Sequence, residues 1–465
     1  MLLIHTGGTI GSLPKYRDDP RSPLVPGRID EILTALPSYD KRKRAVRIHR
    51  TWVPIDTVSW DEPLDSSNVT LDDWRRLAQV VAEHYDGHEG FVILHGTDTL
   101  AYSASALSFI LRNLAKPVIL TGSQRPIGEV RSDAVQNLVT SIELAAAATL
   151  GATVVPEVCI FFHDELLRGC RARKLDATGY RAFSSPKVPP LARAGEHIVV
   201  DRLLIVAPAH GPLEVAGKLE ARRGVVLQTF GTGNAPSTPD FLDAIGSAID
   251  RGITIVNVSQ CPSGSVELGL YDVSSGLLAR GVVSGLDMTP EAALTKMCVV
   301  LGGESDPRRA GDLMQLDLAG EQRQSIFTVH FPGGVARPAA PTCVAPVCPM
   351  TRGRKELDVA RLDHAELRLV DPAAGDGANV PLEALAFLDQ DEVRAADAVA
   401  ENPHFLGRIA RPAPPAVGPD CVLLDATEPV RRFVDGRRTN RLTIVSTGGV
   451  TLRWRRAELA LFVNS

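Results

Sequence analysis

Several features that define common protein classes are missing from this 465-residue chain. No apolar run approaches the roughly 20 residues that a membrane-spanning helix needs. The formal net charge is only −5, which gives no electrostatic reason to expect a nucleic-acid or anionic-membrane partner. The seven cysteines are odd in number and irregularly spaced, unlike a disulfide framework. Met1 leads directly into an expected core strand, which leaves no room for a signal peptide. Together these absences predict a soluble, cytoplasmic protein.

Several catalytic and binding signatures are missing as well. The sequence contains no Gly-Lys-Ser/Thr phosphate loop, no Gly-x-Ser-x-Gly elbow and no His-Glu-x-x-His metal motif. Its eleven histidines are scattered and form no serine-hydrolase set. Cys343 and Cys348 have no nearby Cys or His pair to complete a zinc site, so we expect them to be structural. No metal and no organic cofactor is expected.

The length and the pattern of apolar runs predict an α/β protein of more than one domain. Residues 1–195 alternate strand-like and helix-like stretches, which favours a large α/β domain with a mainly parallel sheet that ends near the Ser- and Pro-rich segment Ser184–Pro190. Residues 196–324 predict a smaller α/β domain whose first strand is Arg202–Val206. Residues 325–465 have more Pro and Gly with short apolar runs, and they predict a β-rich module of unknown role.

Two short segments each place a threonine in a glycine turn after a buried strand. Leu2–His5 is followed by Thr6-Gly7-Gly8-Thr9-Ile10-Gly11, and Phe91–Leu94 is followed by His95-Gly96-Thr97-Asp98-Thr99. The carboxyl ends of strands in an open α/β sheet are where ligands bind. The two turns therefore direct two hydroxyl groups, with a carboxylate beside the second, toward one expected pocket. This pattern is typical of a hydrolase with a threonine nucleophile.

Each turn also has a simpler interpretation. The first is compatible with an ordinary tight turn, or with the start of a dinucleotide fingerprint that requires a helix to follow. Residues 12–20 contain two prolines and several charges, which favour a loop, and a loop here suits a lid that excludes water. The second turn is compatible with the N-cap of a helix over Ala101–Leu114. In a site, Thr97 would relay a proton and Asp98 would hold a substrate ammonium group.

Two further segments are ambiguous from their sequence alone. Lys174 lies in a basic stretch, and most such stretches are solvated surface. A buried lysine beside Thr97 would instead have a lowered pKa and act as a base. Asp65-Ser66-Ser67-Asn68 is an ordinary turn, or else a source of hydroxyl and N–H groups for a substrate carboxylate.

Taken together and in this order, the motifs resemble the bacterial-type L-asparaginases of the cytosolic type I branch, which includes the asparaginase domain of mammalian lysophospholipase-like enzymes. The resemblance covers about residues 1–322. The segments that carry it are Thr6–Gly11, Asp65–Asn68, His95–Thr99, Thr121–Pro126, Arg168–Lys174, Ala182–Pro186, Gly231–Pro236 and Val283–Thr289. The resemblance implies two α/β domains, the larger first, assembled as a homodimer or as a homotetramer built from close dimers.

The resemblance also implies roles for individual residues. Thr9 would be the nucleophile that converts L-asparagine to L-aspartate and ammonia. Thr97 and Lys174 would form the proton relay, and Asp98 would bind the substrate amino group. The remaining substrate-binding residues would be Asp65, Ser66, Ser67, Ser123 and Asn234. Ser123 would act through its backbone, and Asn234 would approach the site of a neighbouring subunit. The alternatives are a glutaminase, a lysophospholipase-like hydrolase and a non-catalytic amino-acid-binding protein.

The chain departs from the family pattern at several positions. Many relatives have a lid tyrosine where Leu24 aligns, and Tyr16 is a candidate substitute. Cys170 stands where relatives usually have Asn, and Arg173 stands where they often have Thr. Type I enzymes can carry an allosteric asparagine site that involves this region and a cysteine matching Cys261. Because Arg173 and Gln228 differ from the bacterial pattern, we do not expect that site here.

Overall fold

A computed structural model of the chain describes residues 1–14, 24–206, 211–337, 342–346, 361–374, 382–390, 402, 404–411, 421–433, 441–447 and 450–464. The chain divides into two compact units. Unit 1 comprises Met1–Glu220, Thr289–Gly303 and Leu318–Glu321. Unit 2 comprises Ala221–Met288, Glu304–Asp317 and Gln322–Ser465. In the described residues, no helix is both long and apolar enough to cross a membrane.

The helices are α1 Ile29–Thr34, α2 Leu71–Glu83, α3 Leu100–Ile110, α4 Ala134–Ala145, α5 Pro239–Asp250, α6 Asp272–Arg280, α7 Pro290–Gly303, α8 Pro307–Met314 and α9 Thr427–Phe433. The strands of unit 1 are β1 Leu2–Gly7, β2 Ser12–Pro14, β3 Leu24–Pro26, β4 Tyr39–Asp40, β5 Ala45–Ile48, β6 Thr51–Pro54, β7 Asp56–Leu64, β8 Phe91–Leu94, β9 Leu111–Arg112, β10 Val118–Thr121, β11 Val158–Phe162, β12 Glu165–Arg168, β13 Arg173–Lys174, β14 Phe183–Ser184, β15 Ala192–Ala194, β16 Ile198–Val200 and β17 Glu214–Val215.

The main sheet of unit 1 has eight strands in the order β16-β15-β12-β11-β10-β8-β1-β7. The pairs from β11 to β7 are parallel, and β12, β15 and β16 continue the sheet in antiparallel fashion. Both faces are covered, since Leu2 and Ile4 pack in one apolar core while Leu3 packs in another. Burial on both faces explains the continuous apolar runs of the central strands. The predicted α/β class and mainly parallel sheet are confirmed.

Several predicted boundaries need correction. The predicted strand Arg202–Val206 is wrong, because the segment contains no strand. Its Leu204 carbonyl accepts a hydrogen bond from Arg168, and its Val206 N–H donates to Glu157 at 2.7 Å, so side chains replace a strand partner. The helix predicted to reach Leu114 ends at Ile110, since Leu111–Arg112 pairs with Glu214–Val215.

The predicted domain limits stay predictions, although the sheet continues past residue 195. Strand β16, Ile198–Val200, pairs with β15 on the far side of the segment Ser184–Pro190. The segment Ser184–Pro190 is therefore not the last part of the large α/β region.

Unit 2 begins with a three-stranded parallel sheet, followed by two antiparallel sheets. Its strands are β18 Gly224–Thr229, β19 Thr254–Ser259, β20 Val283–Ser284, β21 Gln324–Ala336, β22 Thr342–Val344, β23 Leu362–Val370, β24 Ala373–Ala374, β25 Leu382–Leu388, β26 Phe405–Arg411, β27 Cys421–Asp425, β28 Leu442–Ser446 and β29 Leu452–Asn464. The antiparallel sheets run β21-β29-β23-β27 and β22-β28-β25-β26, and residues of both share one apolar core. The β-rich character predicted for 325–465 is confirmed. Cys343 is exposed, and Cys348 lies outside the described residues.

Candidate active site

The two threonine-bearing turns touch each other through their backbones. Strands β1 and β8 pair in parallel, with His5 opposite Leu94, so the turns leave the sheet side by side. A Cβ atom added to Gly8 would lie 2.5 Å from the backbone nitrogen of Gly96. Only glycine permits such an approach, and the φ of +90° at Gly8 also favours glycine. The sequence at these positions is therefore explained by the contact between the two turns.

Thr9 follows this contact immediately. It begins a single 3-10 turn, Thr9–Gly11, in which Ile10 is buried and Thr9 is half-buried. The Ile10 carbonyl accepts a hydrogen bond from the Ile127 N–H at 3.2 Å, which fixes the turn to the loop after β10. Two positions are relevant to a lid tyrosine. Tyr16 lies outside the described residues, and Leu24, which aligns with the tyrosine of relatives, begins strand β3.

Lys174 reaches the second turn, although it is far away in sequence. Its Nζ atom donates to Thr97 Oγ1 at 2.9 Å and to Asp98 Oδ1 at 2.8 Å. The Lys174 side chain is 19% exposed, while that of Asp98 is 63% exposed. The backbone of Lys174 is paired with Phe183 in the short ribbon of β13 and β14. The interpretation of Lys174 as solvated surface is therefore wrong.

Thr97 has a second partner that the sequence analysis did not single out. Its hydroxyl donates to Gln124 Oε1 at 3.5 Å while it accepts from Lys174. Gln124 is itself fixed, because its Nε2 donates to the carbonyl of Gly179 at 3.0 Å and its N–H donates to the Asp133 carboxylate. Gln124 and Asp133 are thus residues of the site that we did not predict. The only signal for Gln124 is its place in the Thr121–Pro126 turn.

The turn Asp65–Asn68 lies against the same region. A Cβ atom at Gly96 would lie 2.5 Å from Ser66 Oγ, and the Thr99 hydroxyl donates to the Ser66 carbonyl at 2.7 Å. Ser66 is buried, whereas Asp65 and Ser67 are exposed. The Ser67 N–H donates to Asp65 at 2.9 Å, and this bond lowers the pKa of the Asp65 carboxyl.

Ser123 and Asn234 complete the predicted set, but they lie in different units. Ser123 is buried after strand β10, and its hydroxyl donates to the Arg125 carbonyl at 2.5 Å. A Cβ atom at the preceding Gly122 would lie 3.6 Å from Thr97 Cγ2, so this turn adjoins Thr97. Asn234 belongs to unit 2, where its backbone pairs with Phe230. Unit 1 thus contains every predicted site residue except Asn234.

A buried hydrogen-bond chain supports the second turn from behind. The Trp74 Nε1–H donates to Ser103 Oγ at 3.0 Å, and Ser103 Oγ lies 3.0 Å from His95 Nε2. His95 Nδ1 lies 2.7 Å from the Gly96 carbonyl. The indole is only a donor and the carbonyl is only an acceptor. In a neutral His95 ring, Nδ1 therefore carries the proton and donates to the Gly96 carbonyl, while Nε2 accepts from the Ser103 hydroxyl. Burial lowers the pKa of His95, in agreement with a neutral ring.

Two of the positions that depart from the family pattern, Cys170 and Arg173, lie close to Lys174 in sequence. Cys170 is buried, and its thiol donates to the Ala319 carbonyl at 3.4 Å. Arg173 Nε donates to Glu291 Oε1 at 3.2 Å. Cys261 and Gln228 lie in unit 2, where Gln228 is exposed. Among the described residues, no group of three or more His, Cys, Asp or Glu side chains has the geometry to hold a metal ion.

Comparison with known proteins agrees with the order of the motifs. Residues 1–205 match the family model for the asparaginase N-terminal domain, and residues 215–314 match the glutaminase/asparaginase C-terminal domain. L-asparaginase 1 of Escherichia coli K12 is 40% identical over 344 residues, which cover 68% of this chain and 96% of that protein. The chain belongs to the asparaginase family. The predicted resemblance to the type I branch is confirmed, and so is the two-domain asparaginase-like fold.

Other relatives define how far the similarity extends. The crystal structure of L-asparaginase I from Vibrio cholerae is 37% identical, with a TM-score of 0.60, and the match covers 69% of this chain and 98% of that one. The human 60 kDa lysophospholipase is 38% identical over 362 residues, covering 69% of this chain and 61% of that protein. The family models end at residue 314, so the antiparallel sheets of unit 2 lie beyond them.

Proposed function

We propose that this protein hydrolyses L-asparagine to L-aspartate and ammonia through an acyl-enzyme on Thr9. The observation that carries the proposal is the pair of hydrogen bonds from Lys174 to Thr97 and Asp98, beside a turn that ends in Thr9. The names of the relatives, L-asparaginase 1 of E. coli and L-asparaginase I of V. cholerae, support the choice of substrate.

In the proposed reaction, the Thr9 hydroxyl attacks the side-chain amide carbon of asparagine. A threonine hydroxyl is a weak nucleophile at neutral pH, so its proton must be removed as the C–O bond forms. Thr97 takes up that proton and passes its own hydroxyl proton to Lys174 Nζ. The same proton then passes to the departing nitrogen, the C–N bond breaks and ammonia leaves. Water next adds to the ester on Thr9, and breakage of the C–O bond releases aspartate and restores the hydroxyl.

Substrate groups have plausible partners in the same region. Asp98 carries an exposed carboxylate suited to an ammonium group, and the hydroxyl and N–H groups of the turn formed by Asp65, Ser66 and Ser67 are suited to the substrate carboxylate. Backbone N–H groups of the two glycine turns are suited to stabilise the oxyanion, and the Ser123 backbone is suited to the leaving nitrogen. A donor of this kind contributes about 3 to 4 kcal/mol to transition-state stabilisation.

The decisive experiment is ammonia release by the full-length protein from L-asparagine and from L-glutamine. Glutamine has one more methylene, and a pocket discriminates such a difference by about 1–3 kcal/mol. We expect asparagine to have the higher kcat/KM. Equal values would make the protein a glutaminase-asparaginase. No ammonia from either amide would leave the amino-acid-binding alternative, which isothermal titration with asparagine would then test.

We further propose a cytoplasmic homodimer or homotetramer in which Asn234 contacts the site of a neighbouring subunit. Cys159, Cys170, Cys261 and Cys298 are free thiols, in keeping with a reducing compartment. Light scattering on the purified protein gives its oligomeric state. Asn234→Ala would lower kcat/KM for asparagine without changing the fold of a single chain. We retain the division into domains 1–195, 196–324 and 325–465 as part of this proposal, to be tested by limited proteolysis.

A further inference from the structure

Arg173, the residue before the proposed base, forms an ion pair on the opposite side of the same strand. Strand β13 consists of Arg173 and Lys174 alone, and successive side chains of a strand point to opposite faces. Lys174 extends to Thr97 and Asp98, while Arg173 Nε donates to Glu291 Oε1 at 3.2 Å. The two side chains therefore hold this strand from both sides.

The strand is short, although its neighbours are fixed: Ala172 and Phe183 are buried in the apolar core, and the Leu175 N–H donates to the Ala182 carbonyl at 2.8 Å. Among the described strands, it pairs with the two-residue strand Phe183–Ser184 in a two-stranded sheet, and such small sheets have marginal stability by themselves. A lysine side chain also has four rotatable bonds, so its ammonium group needs a fixed backbone to stay within hydrogen-bond distance of one hydroxyl. An anchor beside Lys174 thus has a direct effect on the distance between Lys174 and Thr97.

Glu291 is a well-fixed anchor. It lies in the first turn of α7, and its side chain is only 8% exposed. The next residue, Ala292, packs in the same apolar core as Leu100 and Ala104 of α3. Helix α3 begins directly after the turn that carries Thr97. Helix α3 thus connects Thr97 to α7, and the ion pair connects α7 to the strand of Lys174. Glu291 therefore has a defined position relative to both Thr97 and Lys174.

The pair is also placed where its loss would matter. Glu291 Oε2 is buried and has no hydrogen-bond partner among the described residues. The positive charge that neutralises this carboxylate comes from Arg173, through its ion pair with Oε1. A buried carboxylate that loses its cation is strongly unfavourable. We infer that the Arg173–Glu291 ion pair is a positioning device that holds Lys174 against Thr97, and that Arg173 and Glu291 are positioning residues of the proposed reaction.

This inference rests on the proposed function, and four variants test it. Arg173→Met removes the anchor, Arg173→Lys keeps its charge, and Glu291→Gln keeps an oxygen that accepts from Arg173. The double variant Arg173→Met/Glu291→Gln removes both the anchor and the orphaned charge. Arg193→Met is the control for loss of a unit 1 arginine, because Arg193 pairs with a buried glutamate, Glu165, which keeps Arg181 as a second partner. The measurements are kcat and KM for asparagine together with the thermal midpoint of each full-length variant.

We expect kcat to fall about tenfold in Arg173→Met, with KM within about twofold of the wild-type value. Arg173→Lys and Glu291→Gln would each retain most of the wild-type kcat. In the double variant the thermal midpoint would return toward the wild-type value while kcat stays low, because the Arg173 anchor is still missing. This separation of stability from kcat is the result that a purely structural pair would not give.

Two outcomes would overturn the inference. One is a kcat for Arg173→Met within about twofold of the Arg193→Met control. The other is full recovery of kcat in the double variant, which would assign the loss to the orphaned Glu291 carboxylate alone. Absence of ammonia release from the wild-type protein would instead contradict the proposed function, so the two failures are distinguishable.

Discussion

The Nζ atom of Lys174 lies 2.9 Å from the hydroxyl oxygen of Thr97, although 77 positions separate the two residues in sequence. The same Nζ atom contacts Asp98 at 2.8 Å. Three of the four predicted catalytic residues are thus joined by direct hydrogen bonds. The fourth, Thr9, follows the glycine whose backbone abuts Gly96.

Replacement of Thr9 tests the nucleophile. Thr9→Ala removes the hydroxyl that would form the ester, and we expect kcat for asparagine to fall by about 10³-fold or more. Thr9→Ser keeps a hydroxyl and would retain much more activity than the alanine variant. Steady-state ammonia release measures both, with circular dichroism as the check on folding. A Thr9→Ala protein with wild-type turnover would show that the nucleophile lies elsewhere.

Replacement of Lys174 tests the proton relay. Lys174→Met and Lys174→Arg would both lower kcat by about 10²–10⁴-fold, since the first has no base and the guanidinium of the second stays protonated. If Lys174 contributed only its positive charge, Lys174→Arg would instead retain activity. Thr97→Val, which removes the shared hydroxyl, would lower kcat to a similar extent. If Lys174→Arg were as active as the wild type, a base role for Lys174 would be wrong.

The contact between the two turns makes Gly8 sensitive to any side chain. In Gly8→Ala the new methyl group would lie 2.5 Å from the Gly96 nitrogen and 2.8 Å from the His95 carbonyl carbon, and neither backbone atom has a flexible alternative. The φ of +90° adds backbone strain of about 1–3 kcal/mol. We expect a loss of activity of about 100-fold, measured as kcat/KM. Gly151→Ala, which also has a positive φ but no atom within 4 Å, is the control for strain alone. Equal losses in the two variants would contradict the contact.

The stability of unit 2 is predicted to depend on pH through His330. Burial opposes protonation of His330, but its hydrogen bonds and charge interactions with Asp312 and Glu458 raise its pKa from 6.5 to about 10. A raised folded-state pKa means that the stabilisation is complete below pH 6.5 and is lost as the pH rises through about 10. Urea unfolding of the full chain across this range would show the decline.

The control for this prediction is His330→Gln, which removes the titrating ring. We expect this variant to be less stable than the wild type near pH 6 and the difference to shrink toward pH 10, on the order of 1–3 kcal/mol overall. Parallel pH profiles for the two proteins would exclude His330 as the cause.

The sequence predicts the parts of this site that depend on local chemistry. Glycine turns after apolar strands single out Thr9 and Thr97 as candidates, because buried parallel strands that end in glycine leave a clear pattern. The start of α2 is equally local, since Asp73 accepts from the Thr70 N–H at 2.8 Å. These features need only a few neighbouring residues.

Features that depend on tertiary partners are not visible in the sequence. Lys174 looks like surface within its basic stretch, but its backbone pairs with Phe183 in a short ribbon, and its half-buried side chain contacts Thr97. Arg202–Val206 looks like a strand, but Arg168 and Glu157 satisfy its backbone groups instead. Helix α7 follows the residues of unit 2 in sequence and yet belongs to unit 1, so Glu291 could not be linked to Arg173 in advance.

The most direct test of the central claim is mass spectrometry of the acyl-enzyme. The wild-type protein is mixed with saturating L-asparagine, quenched in acid during turnover and digested for peptide mapping. The account predicts one aspartyl ester, located on Thr9, which is absent in Thr9→Ala and which disappears as substrate is exhausted. An ester on Thr97, or steady ammonia release with no ester on any threonine, would contradict it.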